Sequence, residues 1–208
     1  MRRMKEKPAP AHRYDTKRGP ESPARIESKE RDGEHSWQLE FMAWFLNNTQ
    51  KLGLDNWKLT KYCKVHDLPE FADGDVPMVY ERDLFGNAVG HVRTAAQKEV
   101  DEEKATRRIE RRWGKIFPEM VEALRDYRAM ADKEALFVYT LDKLIAVLNI
   151  AQDGGRTNHL LGVTREVEDD YKRPKISKDP FVLALYDELS KLLDRSPELF
   201  ASILKAAE

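Results

Sequence analysis

An all-α fold is what this sequence predicts. Alternating apolar and polar runs of the strand type are essentially missing, while apolar residues recur at helical spacing along most of the chain. Glycines and prolines mark the breaks between those stretches. There is neither an internal repeat nor a sustained heptad series, so the helices are expected to form a single bundle.

The elements follow in order. Residues 1–24 carry Arg2, Arg3, Lys5, Lys7, Arg13, Lys17 and Arg18 among Pro8, Pro10, Pro20 and Pro23, and offer almost nothing to a core. This segment reads as a disordered basic tail, and its prolines with Glu6 spoil the amphipathic helix of an organelle-targeting peptide. The folded domain is expected over residues 25–208. From Glu34 to Lys51 the residues Trp37, Phe41, Trp44 and Phe45, with Leu39, Met42 and Leu46 around them, predict a helix buried on most sides, with His35 in its first turn. Gly53 and Asp55 break it. Trp57, Leu59, Tyr62 and Val65 predict a second helix running into His66-Asp67, interrupted or restarted at Pro69, because proline removes a donor and clashes with the preceding turn.

Asp73 to Gly90, with Gly74, Pro77 and Gly86, reads as a loop of the length that covers a site, a substrate lid being one candidate. Thr94 to Gly114 is expected to be a strongly charged helix with Ala95, Val100, Ala105 and Ile109 as its sparse apolar stripe, and Pro118 to open the next. Lys133 to Ala151 is the most apolar helix, with Asp142 in its middle, where a carboxylate needs a partner. Gly154-Gly155 ends it. His159 to Tyr171 is expected to form one helix, Pro174 and Pro180 to bracket a linker before a helix over Phe181 to Leu193, and Pro197 to open a final helix.

Composition narrows the function. Lys and Arg total 36 against 37 Asp and Glu, a net charge of −1, so no basic excess favours long nucleic acid as a partner. Cys63 is the single cysteine, which excludes an internal disulfide and a multi-cysteine zinc site and suits a reducing, cytoplasmic setting. No apolar run approaches the roughly 20 residues of a membrane helix, and no signal-type segment opens the chain, so a soluble protein without a membrane partner is expected.

The chemistry-bearing residues form an ordered set. Glu34-His35-Ser36 stands upstream, His66-Asp67-Leu68-Pro69-Glu70 and Gly74-Asp75-Val76-Pro77 in the middle, and Asp142 downstream. Two imidazoles and two carboxylates drawn from three helical segments suit a divalent transition ion with positions open for water and substrate. Neutral imidazole and carboxylate bind Mn, Co, Fe, Ni, Zn or Mg, and water on such an ion loses several pKa units, which points to hydrolysis. Glu70 follows Asp67 by three and His66 by four residues, so a continuous helix puts it on their face as a general acid/base. Taken alone, His35 reads as a satisfied core histidine and Asp142 as half of an ion pair with Lys143 or an arginine; the ordered set favours ligation.

Over residues 25–171 this set resembles the HD-domain metal-dependent phosphohydrolases, and most of all their small 5′-nucleotidase-like branch. The resemblance implies His35, His66, Asp67 and Asp142 as metal ligands, Glu70 and Asp75 as catalytic residues, and an oligomer of identical chains. A cationic side chain is also expected near the phosphate, with Arg25 and Lys98 as candidates. The implied reaction is hydrolysis of a deoxyribonucleoside 5′-monophosphate to nucleoside and phosphate. Two rivals are a triphosphohydrolase acting on deoxynucleoside triphosphates and a non-catalytic nucleotide-binding or scaffold protein. His12, His91 and His159 lack matching neighbours, Trp37, Trp44, Trp57 and Trp113 are expected in the core or in helix packing, and the run Arg107 to Arg112 reads as a solvated face.

Overall fold

A computed structural model describes residues 32–73, 81–82, 88–89 and 95–202 of the chain, and helices account for most of them. In chain order these are α1 (Asp32–Gln50), α2 (Asn56–Val65), α3 (Leu68–Asp73), α4 (Ala95–Trp113), α5 (Pro118–Ala129), α6 (Lys133–Gln152), α7 (Arg156–Leu161), α8 (Arg165–Ile176) and α9 (Pro180–Leu193). Glu81–Arg82 and Ala88–Val89 pair as a two-residue antiparallel ladder inside the stretch read as a loop. The fold is all-α. None of the described helices is long and apolar enough to cross a membrane.

Short polar side chains fix several helix starts. Asp55 accepts from the backbone N–H groups of Trp57 and Lys58, Asp132 from Ala135, Thr164 from Val167, and Asp179 from Phe181 and Val182. Each cap satisfies a donor that the first turn leaves without a helical acceptor and is worth about 1 kcal/mol. Between these anchors α6 runs through the centre, packing against α1, α2, α5, α8 and α9. A helix apolar around most of its circumference has to be surrounded in this way. Leu141 and Ile145 of α6 are fully buried with Leu39, Leu59, Leu124, Val182 and Tyr186.

Four expectations change. First, α1 is not buried on most sides: its inner face is His35, Leu39, Ala43, Leu46 and Asn47, while Trp37 and Phe41 are 64% and 55% exposed and stack with ring centroids 5.5 Å apart. Trp44, Trp57 and Trp113 are also exposed, so none of the four tryptophans is a core residue. Apolar residues occupy both faces of α1, and periodicity alone does not say which one meets the bundle. Second, the expected helix over His159 to Tyr171 is two helices, because Gly162 (φ 65°) closes α7 in the left-handed conformation and Thr164 caps α8.

Third, Pro174 lies inside α8 rather than in a linker. Its missing N–H deprives the carbonyl of Asp170 of a helical donor, and both residues are exposed, on the solvent side of the helix where that loss costs least. Fourth, Pro197 opens only a 3₁₀ turn, Pro197–Leu199, and residues 203–208 lie outside the described residues. That turn closes on the α6–α7 corner, where Asn158 Nδ2 donates to the Leu199 carbonyl at 3.1 Å. The tail over residues 1–24 also lies outside the described residues.

Candidate metal centre

Local folding around His66 decides its chemistry. α2 ends at Val65, His66 forms its C-terminal cap, and the chain turns through Asp67 before α3 starts at Leu68. Pro69 thus falls in the first turn of a new helix, where a missing N–H costs nothing. The His66 Nδ1 atom lies 2.9 Å from the Cys63 carbonyl oxygen. A carbonyl only accepts, so Nδ1 carries the proton and donates, leaving Nε2 as a lone pair in the neutral ring. Nε2 is buried without a hydrogen-bond partner and faces Asp67 Oδ2 at 3.1 Å and Asp142 Oδ1 at 4.0 Å. A lone pair aimed at two carboxylates is repulsive until a cation stands between them.

The other two donors come from α1 and α6. A reciprocal amide pair holds these helices in register, with Gln38 Nε2 donating to Asn149 Oδ1 at 3.0 Å and Asn149 Nδ2 returning to Gln38 Oε1 at 3.2 Å. One turn earlier on α1, His35 is 1% exposed and its Nε2 lies 2.8 Å from Asp142 Oδ1. The second Asp142 oxygen meets the Lys143 ammonium at 2.5 Å. Burial opposes the charge on Asp142, but Lys143 and the His35 hydrogen bond outweigh it and hold the carboxyl well below the usual range. Burial likewise opposes the charge on Lys143, and Asp142 keeps that ammonium protonated. Asp142 therefore contacts both His35, a fellow candidate for metal ligation, and Lys143, the ion-pair partner that its sequence position suggested.

Donor atoms of His35, His66 and Asp142 all lie within 4.8 Å of one another. Ligands bound at ~2.1 Å stand about 3 Å apart when adjacent and about 4.2 Å apart when opposite in an octahedral set, so shifts of well under an ångström seat an ion among these three. The residues fit a divalent metal. Asp67 stands beside His66, outside that three-residue group. Glu70 lies one turn on, and its Oε1 accepts from Lys98 Nζ at 3.1 Å, which ties α3 to α4. Lys98 also reaches Glu102 at 3.5 Å. Asp75 and Arg25 lie outside the described residues. Tyr127, which the sequence did not single out, sets its ring edge-on to His66 with centroids 6.2 Å apart.

The family model described as "HD domain" matches residues 15–179. The chain belongs to the HD-domain family. A crystal structure described as a predicted metal-dependent phosphohydrolase from Magnetospirillum magnetotacticum MS-1 is similar to this HD domain, with 24% identity and a TM-score of 0.63 over 84% of this chain and 82% of that one. At that identity the likeness establishes the shared fold. No curated protein matches the chain. Within the HD domain, His35, His66 and Asp142 are the group that the fold gathers from α1, the α2–α3 turn and α6.

Proposed function

We propose that this HD domain is a metal-dependent phosphohydrolase acting on nucleotides, with a deoxyribonucleoside 5′-monophosphate as substrate and nucleoside and phosphate as products. The observation that supports it is the buried Nε2 lone pair of His66 converging with His35 and Asp142. In this reading Asp67 completes the ligand set from its place beside His66. A divalent ion held there supplies positive charge to the phosphoryl oxygens and acidifies water. Glu70 is the proton carrier: its salt bridge to Lys98 fixes the carboxylate in place between α3 and α4, where it takes a proton from water or returns one to the leaving oxygen. Lys98 then stands beside the transferred phosphate, with Asp75 and Arg25 as the further catalytic and phosphate-binding candidates.

Elemental analysis of the purified protein, followed by a panel of nucleoside mono- and triphosphates with Mn²⁺, Co²⁺ and Mg²⁺, tests the proposal. Orthophosphate released from monophosphates supports it. Tripolyphosphate released from a deoxynucleoside triphosphate assigns the rival reaction, and metal binding without release of either product leaves a non-catalytic nucleotide-binding or scaffold protein.

A further inference from the structure

Beyond the metal centre, the seam between α6 and α8 holds positive charge that no motif announces. Lys172 and Lys175 lie one turn apart on α8, and Lys143 stands on α6, the helix against which α8 packs. Tyr171 anchors two of them: Lys175 Nζ lies 3.0 Å from its ring centroid and Lys172 Nζ 5.7 Å. Lys143 Nζ lies 5.5 Å from the Tyr139 ring. Among the described residues, neither Lys172 nor Lys175 has a carboxylate within ion-pair distance, although Lys172 is only 8% exposed. Glu168, one turn before Lys172, is buried with both oxygens lacking a hydrogen-bond partner, so it does not clasp that ammonium.

A buried ammonium without a counter-ion is costly. Burial, with the like charges of Lys143, Lys172 and Lys98, pushes Lys175 down to about 7. Lys172 is pushed down by burial and by Lys143. α8 packs against α6, which carries the candidate ligand Asp142, so the two ammoniums stand on a helix that adjoins the one supplying that carboxylate. An arriving anion offsets all of these costs at once, and each ammonium offers three donors to its oxygens.

We propose that Lys172 and Lys175 of α8 form an anion subsite on the seam with α6, the helix that carries Asp142, and that it takes phosphate oxygens of the substrate. The assignment rests on the phosphohydrolase reading. Two sources present the same oxygens: the phosphate under attack, or the remote phosphates of a triphosphate.

Isothermal titration of the chelator-treated full-length protein with inorganic orthophosphate and with tripolyphosphate at low ionic strength tests it. Wild type is expected to bind at least one of them, and Lys172→Met/Lys175→Gln to weaken that binding tenfold or more. Lys191→Gln on α9, where the lysine pairs with Glu188, is the control and leaves binding unchanged. A tenfold preference for tripolyphosphate assigns remote phosphates, and equal affinities assign the attacked one; both uphold the subsite. No binding of either anion to wild type, or variant affinities within twofold of it, overturns the proposal. Lys175→Gln alone serves if the double variant does not fold. A purely structural role for Lys172 as counter-ion to Glu168 predicts a lower Tm for Lys172→Met, whereas the subsite predicts an equal or higher one. Anion binding by a protein that releases no phosphate from any nucleotide overturns the hydrolase reading and leaves the subsite in place.

Discussion

Asp142→Asn removes one charge from the centre of the bundle at nearly constant volume, and its effect splits into two measurable parts. In the metal-free protein the carboxylate accepts from His35 at 2.8 Å and pairs with Lys143 at 2.5 Å. Removing one partner of a buried ion pair costs roughly 3–5 kcal/mol. The Lys143 side chain retains 29% exposure, so water partly solvates the ammonium left behind, and the lower end is expected, about 3 kcal/mol. At about 2–4 °C per kcal/mol for a chain of this size, the Tm falls by about 6–12 °C. The second part is linkage: a divalent ion at 100 times its Kd stabilises wild type by about 2.7 kcal/mol, a rise of about 5–11 °C, and the variant lacks most of it. Scanning calorimetry of both proteins in chelator and in Mn²⁺ at matched ionic strength reads both parts. An equal Mn²⁺-induced rise in the variant refutes Asp142 as a ligand, and an equal Tm in chelator refutes the buried ion pair.

Other outcomes follow from the same structure. Glu70→Gln is expected to lower kcat by about 10²–10⁴-fold while bound metal, read by elemental analysis, stays at the wild-type level. Gly155→Ala places a Cβ 2.2 Å from the Leu199 carbonyl oxygen at a left-handed residue (φ 74°), and urea unfolding should show a loss of more than about 2 kcal/mol. Leu141→Ala opens a cavity beside Asp142 at a fully buried position, with an expected loss of about 2–5 kcal/mol in the same assay. Burial pushes the Glu168 carboxyl up to about 7 against the pull of Lys172 and Arg165. A folded pKa above the ordinary value means that its stabilising contribution is complete below about 4.5 and is lost as pH rises through 7, so Glu168→Gln flattens the stability curve over that window.

What the sequence made legible of the fold was what chain-local physics controls. Asp55 marks the break before α2, Pro118 opens α5 and Gly154-Gly155 follows the end of α6, because each acts on its own neighbouring backbone whatever the partner helices do. The centrality of α6 was legible for a similar reason, since a helix apolar all round has only one place to go. The orientation of α1 was not, because Trp37, Phe41, Trp44 and Phe45 compete with Leu39, Ala43 and Leu46 for the same bundle, and the polar His35 and Asn47 travel with the smaller set. Burial of those two polar residues is what selects the face: His35 meets Asp142, and Asn47 donates to the Leu54 carbonyl at 2.9 Å, so the inner stripe satisfies groups that the aromatic stripe cannot.

The same contrast governs the site. His66-Asp67 and Glu70 are neighbours in sequence, so their proximity was readable, whereas the meeting of His35 with Asp142 spans 107 residues and depends on how α1 sits on α6. The amide pair Gln38–Asn149 and the His35–Asp142 contact lie on the same α1–α6 seam, so helix docking and ligand assembly are one event. Lys172 and Lys175 escaped notice because Pro174 suggested that the helix had already ended before them. Once α8 continues through that proline, residues three apart fall on one face, and Lys172, past the expected helix end, and Lys175, in the expected linker, share a helix that packs against α6. Whether these two ammoniums sit on a helix packed against α6, the helix that carries Asp142, is thus decided by helix continuity at Pro174, which no residue of the metal centre announces.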